Sequence, residues 1–143
     1  MRAAWLALFA CMPAMAVEPY VVEADAIATS LSGRAGDATR GAQLMQERNK
    51  SLCVLCHAGP FPDPHLQGTI APDLSGVGSR LSPAQLRLRI VDMKRLNPQS
   101  IMPTYYADVA DSADVRVSAQ WRGKPILDAA QIEDLVAYLR TLQ

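Results

Sequence analysis

The sequence predicts an all-α domain with a single core, and three observations carry that prediction. Two segments, Ser82-Pro83-Ala84-Gln85 and Asp128-Ala129-Ala130-Gln131, are capping boxes, in which the first side chain accepts from the fourth residue's N–H and the fourth side chain reaches back. Apolar residues follow both at helical spacing. The connecting stretches are rich in Gly and Pro or irregular, and only Val115-Arg116-Val117 reads as a brief strand. No internal repeat, low-complexity tract or second domain boundary interrupts the chain.

The chain opens Met1-Arg2 and runs apolar from Ala3 to Cys11 before Ala14-Met15-Ala16, the pattern of a signal peptide cleaved after Ala16. That run is too short to span a bilayer, which needs roughly 20 residues. The expectation is an exported, periplasmic, soluble protein beginning at Val17. Lipidation of Cys11 after Leu8-Phe9-Ala10 is the alternative, disfavoured by the bulk of Phe9. Loss of Arg2 turns a balance of 14 basic against 14 acidic residues into a net charge of −1, without the strongly basic character of a nucleic-acid binder.

Residues 17–36 are weakly patterned and read either as an N-terminal arm lying on the domain, with Tyr20, Val21, Val22, Ile27 and Leu31 available to bury, or equally as a disordered leader. The domain proper spans 37–143. Asp37 caps a helix expected to run to about Asn49-Lys50, and Gly41 within it costs up to about 1 kcal/mol unless another helix crosses there. Residues 58–80, with Gly59-Pro60, Pro62, Pro64, Gly68, Pro72, Gly76 and Gly78, form a loop able to wrap a flat cofactor. After Ser82, Leu86, Ile90 and Met93 share a face, with Arg87, Arg89, Lys94 and Arg95 mostly outside it, until Asn97-Pro98 stops the helix. An irregular insertion, 99–127, precedes the last helix, whose apolar face is Ile132, Leu135, Val136, Leu139 and Leu142.

The chemistry lies in Cys53-Val54-Leu55-Cys56-His57, a Cys-x-x-Cys-His run and the attachment signature of a c-type haem. Two thiols three positions apart reach the two vinyl groups of one porphyrin, and the adjacent imidazole becomes the proximal iron ligand. With Cys11 removed, attachment consumes both remaining cysteines, so the haem replaces a disulfide as the core's staple. A zinc site built from Cys53, Cys56, His57 and His65 lacks the usual paired spacing, and a thioredoxin-type motif lacks its βαβ context.

A six-coordinate iron needs a second ligand from among His65, Met45, Met93 and Met102. Met45 and Met93 fall on helices, where methionine fills cores. His65 follows His57 too closely to pass round the ring. Met102, in a loop and backed by Pro103, is the expected ligand, and His/Met coordination implies electron transfer rather than oxygen chemistry. The second nitrogen of His57 needs an acceptor, for which the Pro72 carbonyl is the candidate. Arg80 is a candidate partner for a haem propionate, against the plain reading of a solvated arginine.

Beyond the haem signature, nearly all of the chain after residue 16 resembles SoxX, the monohaem cytochrome c subunit of the SoxAX complexes of bacterial sulfur oxidation. The resemblance rests on Gly36-Asp37-Ala38-Thr39-Arg40-Gly41, Leu52 to His57, Gly76-Val77-Gly78-Ser79-Arg80 and Gln85-Leu86-Arg87. More specific are Ile101-Met102-Pro103-Thr104-Tyr105-Tyr106 and Gly123-Lys124-Pro125-Ile126-Leu127, with Val136-Ala137-Tyr138-Leu139-Arg140-Thr141-Leu142 at the end. Ala71 stands before Pro72 where such cytochromes usually carry Gly, which puts the tightness of that turn in question. The resemblance implies a class I cytochrome c fold with first and last helices crossing, one covalent haem c, and His57 and Met102 as axial pair. It implies a SoxA partner whose haem site joins thiosulfate to a cysteine of the SoxYZ carrier, as L-cysteine S-thiosulfotransferase. A SoxX-type haem would pass the released electrons to a small periplasmic cytochrome, and no residue of this chain would act as acid, base or nucleophile. The alternatives are a free-standing electron shuttle and an electron-transfer subunit of another oxidoreductase. Tyr105, Tyr106 and Trp121 suit either a partner interface or packing over the haem edge.

Overall fold

The computed structural model describes residues 17–107 and 124–143. The leader with Cys11, the expected strand at 115–117 and Trp121 lie outside the described residues. Among the described residues five helices follow in order: α1 (Ala38–Gln46), α2 (Cys53–Cys56), α3 (Val77–Arg80), α4 (Pro83–Asp92) and α5 (Ala129–Leu139). Short 3₁₀ turns occupy Pro64–Leu66 and Met93–Arg95. Among the described residues there is no strand beyond an isolated bridge between Glu23 and Ala26, and no helix is long and apolar enough to cross a membrane. The described elements are all helical, as expected from the sequence.

The helix starts follow local chemistry. Asp37 Oδ1 accepts from the Arg40 N–H at 2.9 Å, and both capping boxes close reciprocally, Ser82 with Gln85 and Asp128 with Gln131. α1 stops at Gln46, earlier than its spacing suggests. Its end is taken over by the next segment: Glu47 O accepts from the backbone N–H groups of Lys50, Ser51 and Leu52 at 3.1–3.2 Å. The fully buried Ser51 hydroxyl donates to Leu44 O at 2.5 Å. These bonds satisfy helix-end carbonyls that would otherwise lack partners.

α1 and α5 cross at Gly41. A Cβ there would lie 2.0 Å from the Asp134 carbonyl oxygen and 2.7 Å from Tyr138 Cβ, so only glycine lets the backbones meet. Leu44 and Met45 of α1 pack with Ile132, Leu135, Val136 and Leu139 of α5, and Leu86, Leu88, Ile90 and Val91 of α4 complete the core. Met45 is thus core filler, 2% exposed.

Beside the crossing, the Arg40 guanidinium grips Asp134 through Nε to Oδ2 at 2.7 Å and Nη2 to Oδ1 at 2.8 Å, while the Asp37 N–H donates to Oδ1 at 2.7 Å. Burial pushes the Asp134 carboxyl up, but Arg40 and the Asp37 N–H outweigh it and hold it below the usual carboxylate range. A lowered folded-state pKa adds stability that is present above the unfolded value of about 3.9 and lost as pH falls through the folded value. The wild type is therefore expected to out-melt Asp134→Asn at neutral pH, with the gap closing in acid below about pH 4. Thermal unfolding of both proteins across that range measures it, and a gap independent of pH would assign the loss to packing instead.

The arm 17–36 is built into the domain. Ile27 is buried against α4, its N–H donating to Ala84 O at 3.0 Å. The Glu18 N–H donates to the Tyr106 hydroxyl at 2.8 Å, and the Tyr20 and Tyr106 rings lie 6.2 Å apart. One expectation is corrected here: Arg87 is not on the solvent side of α4 but buried, 6% exposed. Arm and α5 cover that face, and Glu133 of α5, also buried, receives Arg87 Nε at 2.7 Å and Nη2 at 2.9 Å. Arg87 Nη1 donates to Ile27 O at 2.6 Å, and the Leu31 N–H donates to Glu133 Oε1 at 2.9 Å. One fork thus joins arm, α4 and α5.

Candidate haem-attachment site

Leu52 adopts a left-handed backbone (φ +61°), sparsely allowed for a branched residue, and this bend starts α2 directly at Cys53. α2 is a single turn that carries both cysteines, each a free thiol. The His57 N–H closes the turn on Cys53 O at 2.9 Å, and His57 leaves in extended backbone.

The loop that follows folds back over this turn. Gly68 N–H donates to Val54 O, Ala71 N–H to Cys56 O and Leu74 N–H to Ala58 O, all at 2.9–3.0 Å. The approach at Gly68 is so close that a Cβ would lie 2.0 Å from Leu55 O. Ala71 is not among the residues of positive φ, so this turn closes without a glycine there. The result places His57 Nδ1 2.7 Å from Pro72 O. A carbonyl only accepts, so Nδ1 carries the hydrogen and Nε2 is left with a free lone pair.

On the other side of the turn, the buried ring of Tyr105 donates its hydroxyl hydrogen to Ser51 O. Cys53 Sγ approaches the same carbonyl at 3.4 Å. Burial above all pushes the Cys53 thiol up from its ordinary pKa, and the Tyr105 hydroxyl is raised by burial and then by the neighbouring Cys53. Ser51 is a participant that sequence reasoning did not single out and no periodicity marks, whereas Tyr105, read from the sequence as interface or haem-edge packing, takes part through its hydroxyl.

Met102 lies partly buried against the core, its N–H held by Ser100 Oγ at 3.2 Å. Arg80 ends α3 in an exposed position and donates through Nη1 to Ser75 O at 2.6 Å and Nη2 to Asp73 O at 3.4 Å. His65 is exposed in its 3₁₀ turn, and Met93 opens the turn after α4 rather than lying within that helix. Tyr105 and Tyr106 are both buried, 2% and 1% exposed, and pack inside the domain rather than forming a surface. Among the described residues no three His, Cys, Asp or Glu side chains converge to hold a bare metal ion, which leaves the zinc reading without a site.

The donor set fits a c-type haem: two unpaired thiols on one turn and an imidazole whose hydrogen-bonded Nδ1 leaves Nε2 for iron. Such a turn inside a crossing-helix domain defines a c-type cytochrome, and the chain belongs to the cytochrome c family, whose model matches residues 38–143. With one attachment signature it carries a single covalent haem c. Within that family it groups with SoxX: it is similar to a chain of the crystal structure of SoxXA from P. pantotrophus. The two are 37% identical, the similarity covers 89% of this chain and 96% of that one, and the TM-score is 0.77. A comparison with curated proteins gives no match.

Proposed function

We propose that this chain is the electron-transfer subunit of a periplasmic SoxXA-type complex that oxidises thiosulfate. The observation that supports the reading most strongly is the similarity to a SoxXA chain, which extends through nearly the whole of both chains. On this reading the leader 1–16 is removed after Ala16 on export, and the arm 17–36 and the domain 37–143 form the mature subunit.

A haem c bound at the site supplies one iron that is reversibly reduced. The residues of this chain hold it. Cys53 and Cys56 attach it, and His57 presents Nε2 while its Nδ1–H, donated to Pro72 O, fixes the tautomer and makes the imidazole a stronger donor. Met102 would supply a second ligand to the iron. Two of the five Arg80 N–H donors are engaged with loop carbonyls, and the others remain for a propionate. The chain contributes no acid, base or nucleophile. The SoxA partner joins thiosulfate to the SoxYZ carrier cysteine as L-cysteine S-thiosulfotransferase, and the released electrons leave through this subunit to a small acceptor cytochrome.

Co-expression with a SoxA subunit tests the assignment. The expected outcome is a one-to-one complex in native mass spectrometry whose SoxX-type haem is reduced on addition of thiosulfate and SoxYZ. A strictly monomeric chain, inert in thiosulfate oxidation when recombined with SoxA, would overturn it in favour of a free electron shuttle.

A further inference from the structure

Adjacent tyrosines pin the Met102 loop from two sides. The Tyr106 hydroxyl accepts from Glu18 of the arm, whereas the Tyr105 hydroxyl donates to Ser51 O, 54 residues away, beside the first attachment cysteine. The loop backbone is fixed as well: the N–H groups of Tyr105 and Tyr106 both donate to Val91 O, at 3.1 and 3.3 Å, and Thr104 Oγ1 donates to Asp92 Oδ1 at 3.0 Å. Pro103, with its locked φ, lies between Met102 and this anchored segment. Three residues of chain span at most about 10 Å, so the Met102 sulfur has little freedom while Tyr105 stays in place.

The Ser51 carbonyl makes this tether more than packing. Ser51 is fully buried, and among the described residues its oxygen has two side-chain donors, the Tyr105 hydroxyl and the Cys53 thiol. Once Cys53 is a thioether it has no hydrogen to give. In the attached protein Tyr105 is then the side-chain donor left to that carbonyl, and a buried carbonyl without a partner is costly.

We propose that Tyr105 is a positioning residue for Met102, tying the ligand loop to the haem-attachment turn through Ser51 O and so setting how well Met102 withstands displacement from the iron. The proposal rests on the reading of Met102 as the axial ligand.

The experiment uses the ferric holoprotein and follows the near-infrared sulfur-to-iron band while imidazole is added as competing ligand. Met102→Ala is the first control: a band that survives it overturns the Met102 reading itself. With that ligand established, Tyr105→Phe, which keeps the ring, is expected to retain the band but bind imidazole about five- to tenfold more tightly, the worth of one net hydrogen bond. Tyr106→Phe, which loses a hydroxyl bonded to the arm and not to the attachment turn, is expected to show a clearly smaller rise than Tyr105→Phe. Equal imidazole affinity in wild type and Tyr105→Phe, or an equal rise in both phenylalanine variants, overturns the tether. A second measurement is independent of whether the variant accumulates: proton NMR of the reduced wild type is expected to show a slowly exchanging Tyr105 hydroxyl. A hydroxyl that exchanges freely with water overturns the proposal.

Discussion

Arg87→Met is expected to lower the unfolding free energy of the holoprotein by about 3–5 kcal/mol, because among the described residues it leaves the buried Glu133 carboxylate with only the Leu31 N–H facing it. Domains of this size are stable by roughly 5–15 kcal/mol in all, so the variant sits near the limit of folding. The loss reports the broken pair and not the worth of the pair: taking two charges out of water costs about as much as their attraction returns. An Arg87→Met/Glu133→Leu double variant is therefore expected to recover part of the loss. It cannot recover all of it, since the Ile27 carbonyl and the Leu31 N–H of the arm both lose their partners. Urea unfolding followed by circular dichroism measures the three proteins. A loss below about 1 kcal/mol for the single variant would mean that water reaches Glu133 and that the arm does not seal this face.

Gly41→Ala is the second large effect, and its sign runs against helix propensity. On an open helix surface the change would stabilise by up to about 1 kcal/mol. Here the added methyl would stand 2.0 Å from Asp134 O, backbone that no rotamer change can move aside. The helices must separate, which strains the α1–α5 packing and pulls Arg40 from Asp134, and a net loss of about 3 kcal/mol is expected. Thermal unfolding of holoprotein decides it, and an unchanged or raised midpoint would show that the helices do not touch at this position.

The parts of this molecule that were legible in its sequence are those whose cause is local. Capping boxes at Ser82 and Asp128 work within four residues, and both close as expected. Cys53, Cys56 and His57 stand out because thioether attachment dictates their spacing. Gly41 is an unfavourable residue in a helix and so invites a tertiary explanation, which the crossing supplies. What stayed hidden depends on contacts between distant residues. Arg87 looks solvated by periodicity, and its partner Glu133 lies 46 residues on, in a helix whose apolar face points elsewhere. Ser51 carries no pattern at all, yet its side chain ends α1 early and its carbonyl receives Tyr105. Tyr105 and Tyr106 could be read equally as interface or interior, and only their burial decides for the interior.

The crossing of α1 and α5 also orders events in time. It joins segments more than ninety positions apart, and closing so long a loop is the slow, entropically opposed part of folding. Cys53, Cys56 and His57 lie between the two crossing segments, so the attachment turn stays uncovered until that long loop closes. The thiols are therefore within reach of an attachment apparatus while the fold is still open. Closure of the crossing after attachment would then seal the cofactor in place.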